Sequence, residues 1–331
     1  MGTKFMRMKR IVVAGFMVLA AALALGPLRL IAGDNTFERT FTVSGPIRLE
    51  LSNGSGSVEI RGSADGKVRI HGKVTGNWTL WGSAEKNVEE VLSNPPVEQK
   101  GDTIRIGKDS NWLKNVTIDY QIDVPHATEI DASVASGGVT VDKVQGPVKC
   151  TSASGYVHVY RVDRDTTVSA ASGSIEVSGI GGIAHASTAS GSINIGDVKG
   201  SVKANAASGS IRVTKPSDRV EISNISGGVE VEGASNDVRA HVVSGPINVS
   251  GNPSDNRLWD LKTVSGSVNV RVPRNASFLF SAEATSGDIR TSIPVVIEEQ
   301  NKHSLRAHIG DSAGRVEVHT VSGSINVSSG T

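Results

Sequence analysis

The chain has 331 residues, enough for one large core or an elongated array. Lys plus Arg number 34 against 33 Asp plus Glu, with both signs scattered; this excludes the basic surface that nucleic acid demands and describes a solvated exterior. Aromatics are only 4% while glycine reaches 37 residues, a composition that suits a thin core of Val, Ile and Ala better than an enzyme core.

Residues 1–32 read as a signal peptide or an N-terminal membrane anchor. Lys4, Arg7, Lys9 and Arg10 precede the uncharged run 11–25, which Gly26-Pro27 ends. The run is short for a membrane span, which takes about 20 apolar residues, and extending it to Ile31 would take in Arg29. Small residues at Ala22 to Ala24 or at Ala32 offer cleavage sites, and cleavage is the preferred reading over an uncleaved anchor. No cysteine follows the run, which excludes lipoprotein attachment.

Residues 33–128 read as a β-rich N-terminal cap with one short helix. Ser44-Gly-Pro-Ile-Arg-Leu and Ser55-Gly-Ser-Val-Glu-Ile stand close together and predict a hairpin-like or irregular start. The segment 83–92 has a Ser cap and an early acid, and Asn94-Pro95-Pro96 stops it, so it predicts a helix. Residues 97–106 predict a hairpin turning at Gly101-Asp102, and the strict alternation of 116–124 predicts a strand ended by Pro125.

From residue 129 to 331 one phrase recurs: Ser-Gly, a variable residue, then apolar, polar, apolar. Its serines are Ser136, Ser154, Ser172, Ser190, Ser208, Ser226 and Ser244 at steps of 18, then Ser265 and Ser286 at steps of 21, then Ser322 after 36. A fixed period of this size is the mark of a stacked repeat. Three and five residues after each Ser the chain is apolar (Ile175 and Val177, Ile193 and Ile195), with a freely changing polar residue between (Glu176, Asn194, Arg212). This is period-two alternation with one buried face. Further apolar columns lie six residues before the Ser (Ile130, Val148, Val202, with Thr166 the polar member) and four before it (Ala132, Cys150, Val168). A turn column of Gly146, Gly182, Gly200, Asp218 and Asn236 stands ten after it. Each unit thus holds at least two short strands that bury their apolar faces only by stacking.

The predicted fold is all-β, a parallel β-solenoid of about 18 residues per coil, right-handed or flattened, with a core too narrow for a buried ligand. The left-handed hexapeptide alternative fits less well, because the apolar columns are not spaced by six. Cys150, the only cysteine, reads as a buried filler and permits no intrachain disulfide. Trp259, Phe278 and Phe280 are expected to fill a widened core near the end.

The Ser-Gly-Ser-Ile-x-Val phrases, the export signal and the strand ending in Asp123-Val124-Pro125 resemble the bacterial putative-adhesin family of β-strand-repeat proteins over roughly residues 40–331. The resemblance implies the solenoid fold and a role in adhesion, as a label resting on architecture.

Catalytic patterns are scarce. Gly310-Asp-Ser-Ala-Gly314 matches a nucleophile elbow in letters, but the alternating Arg315-Val-Glu-Val-His that follows predicts a strand where the elbow needs a helix. The histidines form no metal-ligand spacing; His308 and His319 fall near each other only if the last coils stack in a particular way, and a solvated surface role is the preferred reading. The outward column of Thr140, His158, Glu176, Asn194 and Arg212 builds no carboxylate pair of the glycosidase kind. Catalytic, cofactor and metal residues are therefore expected to be none. Two surfaces remain: hydroxyls at Ser174, Ser192, Ser210, Ser267 and Ser324, which most simply suit a tight bend, and Trp78, Trp81 and Trp112, read as covering the open end. The expected function is an exported, non-enzymatic adhesion or envelope-interaction module in the periplasm, on the outer surface or outside the cell, meeting a glycan or a cell-surface protein. A membrane-anchored periplasmic scaffold or stress sensor is the alternative, and a polysaccharide-active enzyme the third.

Overall fold

The computed structural model describes residues 35–77, 84–107, 115–253, 255–310 and 313–330. They form 29 strands and one helix, with the strands in two long sheets of 14 and 15. Each repeat supplies one strand to each sheet. The strand before the Ser-Gly bend joins the 15-stranded leading sheet, and the strand after it joins the 14-stranded trailing sheet. The result is a flattened parallel solenoid.

One coil shows why the sequence folds this way. Ala184–Ser190 buries Ala184, Ala186 and Thr188, and Ile193–Val198 buries Ile193, Ile195 and Val198. Small side chains on the leading sheet face larger ones on the trailing sheet, which lets the two layers lie close together. The repeats pair in strict register: Ser190 lies beside Ser172 and Ser208, and Ile193 beside Ile175 and Ile211. Cys150 is buried beside Ala132 and Val168, as its column predicts. Trp259, Phe278 and Phe280 are fully buried near the C-terminal end.

The bend column imposes glycine for two reasons at once. Gly191 has φ +141°, and a Cβ on it would stand 2.0 Å from the Gly173 carbonyl oxygen. Its own amide donates to the Ser208 carbonyl oxygen at 2.9 Å, which continues the ladder through the bend. A second feature is absent from the sequence reading. Seven residues after the Ser the backbone turns left-handed, with φ +59° at Lys143, +52° at Arg161 and +52° at Asp197. This kink swings Val144, Val162 and Val198 inward to close the core. The column is chemically mixed, so no residue pattern announces it.

The cap region differs from expectation in one respect. Its two early phrases form no hairpin. Ile47–Ser55 and Val58–Ser63 enter opposite sheets as a full coil, with Ser55 in register with Ser136 and Val58 with Val139. The spacing misleads because the first Ser-Gly, at Ser44, opens a leading strand and the second makes the bend. The helix forms at Ala84–Ser93, burying Val88 and Val91, and the hairpin at Val97–Lys100 and Thr103–Ile106 turns where predicted. Val116–Pro125 is the predicted strand.

Both ends of the stack are clasped. Thr103–Ile106 and Val116–Pro125 lie outside the coil 47–63, while Thr128–Ser136 and Val139–Val144 lie on its inner side. At the other end the last coil in sequence, Arg315–Ser322 with Ile325–Ser329, slots between the coil carrying Ser265 and the coil carrying Ser286. Antiparallel strands then cover the edges: Thr36–Thr42 and Lys67–Gly76 at one end, Val296–Gln300 and Ser304–Ile309 at the other. Covering terminal strands blunts edge-to-edge association.

Candidate interaction groove

In each leading strand the alternation points residues six, four and two before the Ser inward, and those five, three and one before it outward. The column one before the Ser runs Ala189, Ala207, Ile225, Val243, Val264 and Val321 in spatial order. The last four are about half exposed, at 58%, 50%, 50% and 50%. They form an apolar ridge along the stacking axis. Beside it lies a groove of about 930 Å³, with Ser187, Asn205, Ser223, His241, Lys262 and His319 on its other wall.

The floor is the column two before the Ser, which sequence reasoning missed. It mixes Thr188, Ala206, Asn224, Val242, Thr263 and Thr320, all nearly buried. Three of the polar members, Asn224, Thr263 and Thr320, serve the bends. Asn224 Nδ2 donates to the carbonyls of Gly209 and Gly227 at 2.9 and 3.0 Å, and Thr263 Oγ1 and Thr320 Oγ1 donate to Gly245 and Gly266 at 3.2 Å. A column that alternates polar with apolar looks like a surface in sequence, and this hides its place in the wall.

The polar wall is electrostatically compensated. Asp260 is 8% exposed and meets Arg239, His241 and Lys262 at 3.6, 3.3 and 3.0 Å. Burial works to raise its pKa, but hydrogen bonds and charge from Lys262 and His241 outweigh it and hold the carboxyl below its usual value. His319 pairs with Glu283 and His308 with Glu298, so the two histidines serve different carboxylates.

The remaining sequence candidates take structural positions. Ser172, Ser190 and Ser208 are bend residues. Burial, aided by the charge of Asp131, pushes the Cys150 thiol up to about 12, so it stays protonated and unreactive. The residues after Gly314 form the strand Arg315–Ser322, not a helix; Ser312 itself lies outside the described residues, as do Trp78, Trp81, Trp112 and the segment 1–34. Carboxylates on the outer faces pair with cations of neighbouring coils, as Arg48 does with Glu129 and Arg212 with Glu230. Among the described residues no group of His, Cys, Asp and Glu is placed to hold a metal, and no helix is long and apolar enough to cross a membrane.

Curated proteins offer no match to this chain. Among solved structures it is similar to a putative cell adhesion protein from Clostridium sporogenes, at 10% identity and TM-score 0.16, covering 88% of this chain and 99% of that one. It is also similar to a putative adhesin from Bacteroides fragilis, at 12% identity and TM-score 0.23, covering 89% and 96%. Likenesses of that size carry no inference about what this chain does. The family model is a different matter, because its match begins at Ile47, where the first coil opens, and runs to Ser328 in the last strand, taking in every coil between. The chain belongs to the Toastrack DUF4097 family, matched over residues 47–328.

Proposed function

We propose that this protein is an exported, non-enzymatic adhesion or cell-envelope interaction module that holds an extended apolar segment of a partner protein in the leading-sheet groove. The observation that carries this reading is the ridge of Ile225, Val243, Val264 and Val321, four half-exposed apolar side chains on neighbouring strands in one column along the stacking axis. Contiguous exposed apolar patches on water-facing proteins mark interaction sites. The groove crosses the strands and follows the stacking axis. From Ala170 to Thr285 it passes eight coils, roughly 34 Å at about 4.8 Å per coil, the length of about ten residues of extended chain. Export rests on the basic-then-apolar segment at the start of the sequence. The non-enzymatic reading draws on the ion pairing of outer carboxylates such as Glu129 and Glu230 and on the strand that follows Gly314.

Beads carrying residues 35–331 test the groove against intact cells of the producing strain. The parent is expected to bind, and a Val243→Glu, Val264→Glu double variant that melts like the parent is expected to lose binding. Equal binding by the double variant overturns the groove reading. Protease shaving of intact cells tests location: digestion supports an outer-surface module, and protection until the outer layer is breached replaces adhesion with an envelope scaffold.

A further inference from the structure

The outer face of the trailing sheet carries mainly small, polar and charged side chains, and at one place a cluster of aromatic rings. Two residues after each Ser stand Gly138, Tyr156, Ser174, Ser192 and Ser210. Along the strand Val157–Val162 the next outward positions are His158 and Tyr160. Two of the chain's three tyrosines therefore stand within one phrase, on the outside. The core does not need them, because Val157, Val159 and Val162 fill the inward positions of that strand.

The three rings form a row. Tyr156 and His158 have centroids 4.6 Å apart, and His158 and Tyr160 6.0 Å. The Tyr156 ring lies down over Gly138, where a Cβ would come within 2.0 Å of it, and remains 41% exposed. Polar groups rim the row. Glu176, on the neighbouring strand, stands 3.8 Å from His158 Nε2. Arg161 donates through Nε and Nη2 to the two oxygens of Asp142 at 2.7 and 2.5 Å.

We propose that Tyr156, His158 and Tyr160 form a carbohydrate-binding platform on the trailing sheet. The C–H face of a pyranose is apolar and packs on an aromatic ring, while its equatorial hydroxyls require donors and acceptors at the edge. Glu176, Asp142 and Arg161 supply both. An apolar peptide seated here would strip water from these groups and offer their remaining donors and acceptors no hydrogen bond in return. Tyrosine adds contact area with little side-chain entropy to lose. The surface is flat and open, so it suits a run of sugar units more than a single enclosed molecule. It lies on a different sheet from the groove, and neither site depends on the other.

The test titrates the full chain with chitotetraose and with cellotetraose by calorimetry and by saturation-transfer NMR. At least one tetrasaccharide is expected to bind with a Kd of about 1 mM. Tyr156→Ala is expected to weaken it by about tenfold or more, and Tyr156→Phe to hold it within about twofold. The Val243→Glu, Val264→Glu variant is expected to bind sugar as the parent does. Binding of neither tetrasaccharide at about 10 mM overturns the proposal, as does unchanged affinity in Tyr156→Ala.

Discussion

Ser265 pairs in register with Ser322, the last copy of the phrase, and not with Ser286, the next copy along the chain. The final coil is thus held on both sides, Val316 lying between Trp259 and Phe280. A terminal repeat in a stack ordinarily has one neighbour and frays. Here the last coil is wedged inside the Ser286 coil, and the first coil, 47–63, is wedged inside Thr103–Ile106 and Val116–Pro125. Deleting residues 311–331 is expected to remove cooperative unfolding of the C-terminal third, to open 258–291 to limited proteolysis, and to lower the melting temperature by several degrees. Deleting only Gly330 and Thr331 is expected to leave the melt in place. An unchanged melt in the larger deletion would mean that the Ser286 coil stacks directly on the Ser265 coil, and the wedge would then contribute nothing.

Gly191 is expected to tolerate no side chain. Its φ of +141° and the 2.0 Å approach of the Gly173 carbonyl act together, so Gly191→Ala should cost about 3 kcal/mol. Ser190→Ala, one residue earlier on the exposed side of the bend, should stay within about 0.5 kcal/mol. Chemical denaturation of the two variants checks this. Equal midpoints would show that the bend relaxes around an added methyl group.

Inside and outside along a trailing strand are separated by one residue. Ile193 is fully buried, while Asn194 is exposed between Glu176 and Arg212 of the neighbouring coils. Ile193→Asp places an unpaired charge in the core and should cost more than about 4 kcal/mol, enough to unfold several coils. Asn194→Asp should be nearly neutral. Thermal melts of the pair give the measurement, and similar values would refute the assignment of faces.

Asp260 predicts an acid limb. Its folded-state pKa lies below the ordinary carboxylate value, the partners Lys262 and His241 overcoming the opposing effect of burial. The stability it contributes is therefore complete above the unfolded-state pKa of about 3.9 and is lost as pH falls through the lower folded-state value. Asp260→Asn should cost about 1–2 kcal/mol at neutral pH and flatten the loss below about pH 4. Denaturation midpoints at pH 7 and pH 3 measure both effects. A variant with the parent's full acid sensitivity would show that Asp260 does not drive that limb.

Much of the fold was legible because a stacked coil writes its geometry into columns. Ile175, Ile193 and Ile211 recur at one spacing because each must fill the same place in the core, and Gly173, Gly191 and Gly209 recur because each must pass the carbonyl of the coil before. The groove was half legible. The residues one before each Ser read as small or β-branched, yet only the structure turns Ile225 and Val243 outward. The floor column was hidden, because Asn224 and Thr263 look solvated until their bonds to the glycine carbonyls are seen. Tyr156 and Tyr160 were visible as letters, but their neighbours across the sheet, Gly138 and Glu176, come from other coils.

By itself the sequence determined the period, the two strands per coil, the inward and outward faces and the register, because each depends on residues within one repeat and its copies. The tertiary structure alone decided which coil sits beside which at the two ends. The phrases at Ser265, Ser286 and Ser322 present the same columns, so local pattern accepts any order among them. Only the packing of Val316 between Trp259 and Phe280, with the antiparallel strands that close the end, selects one.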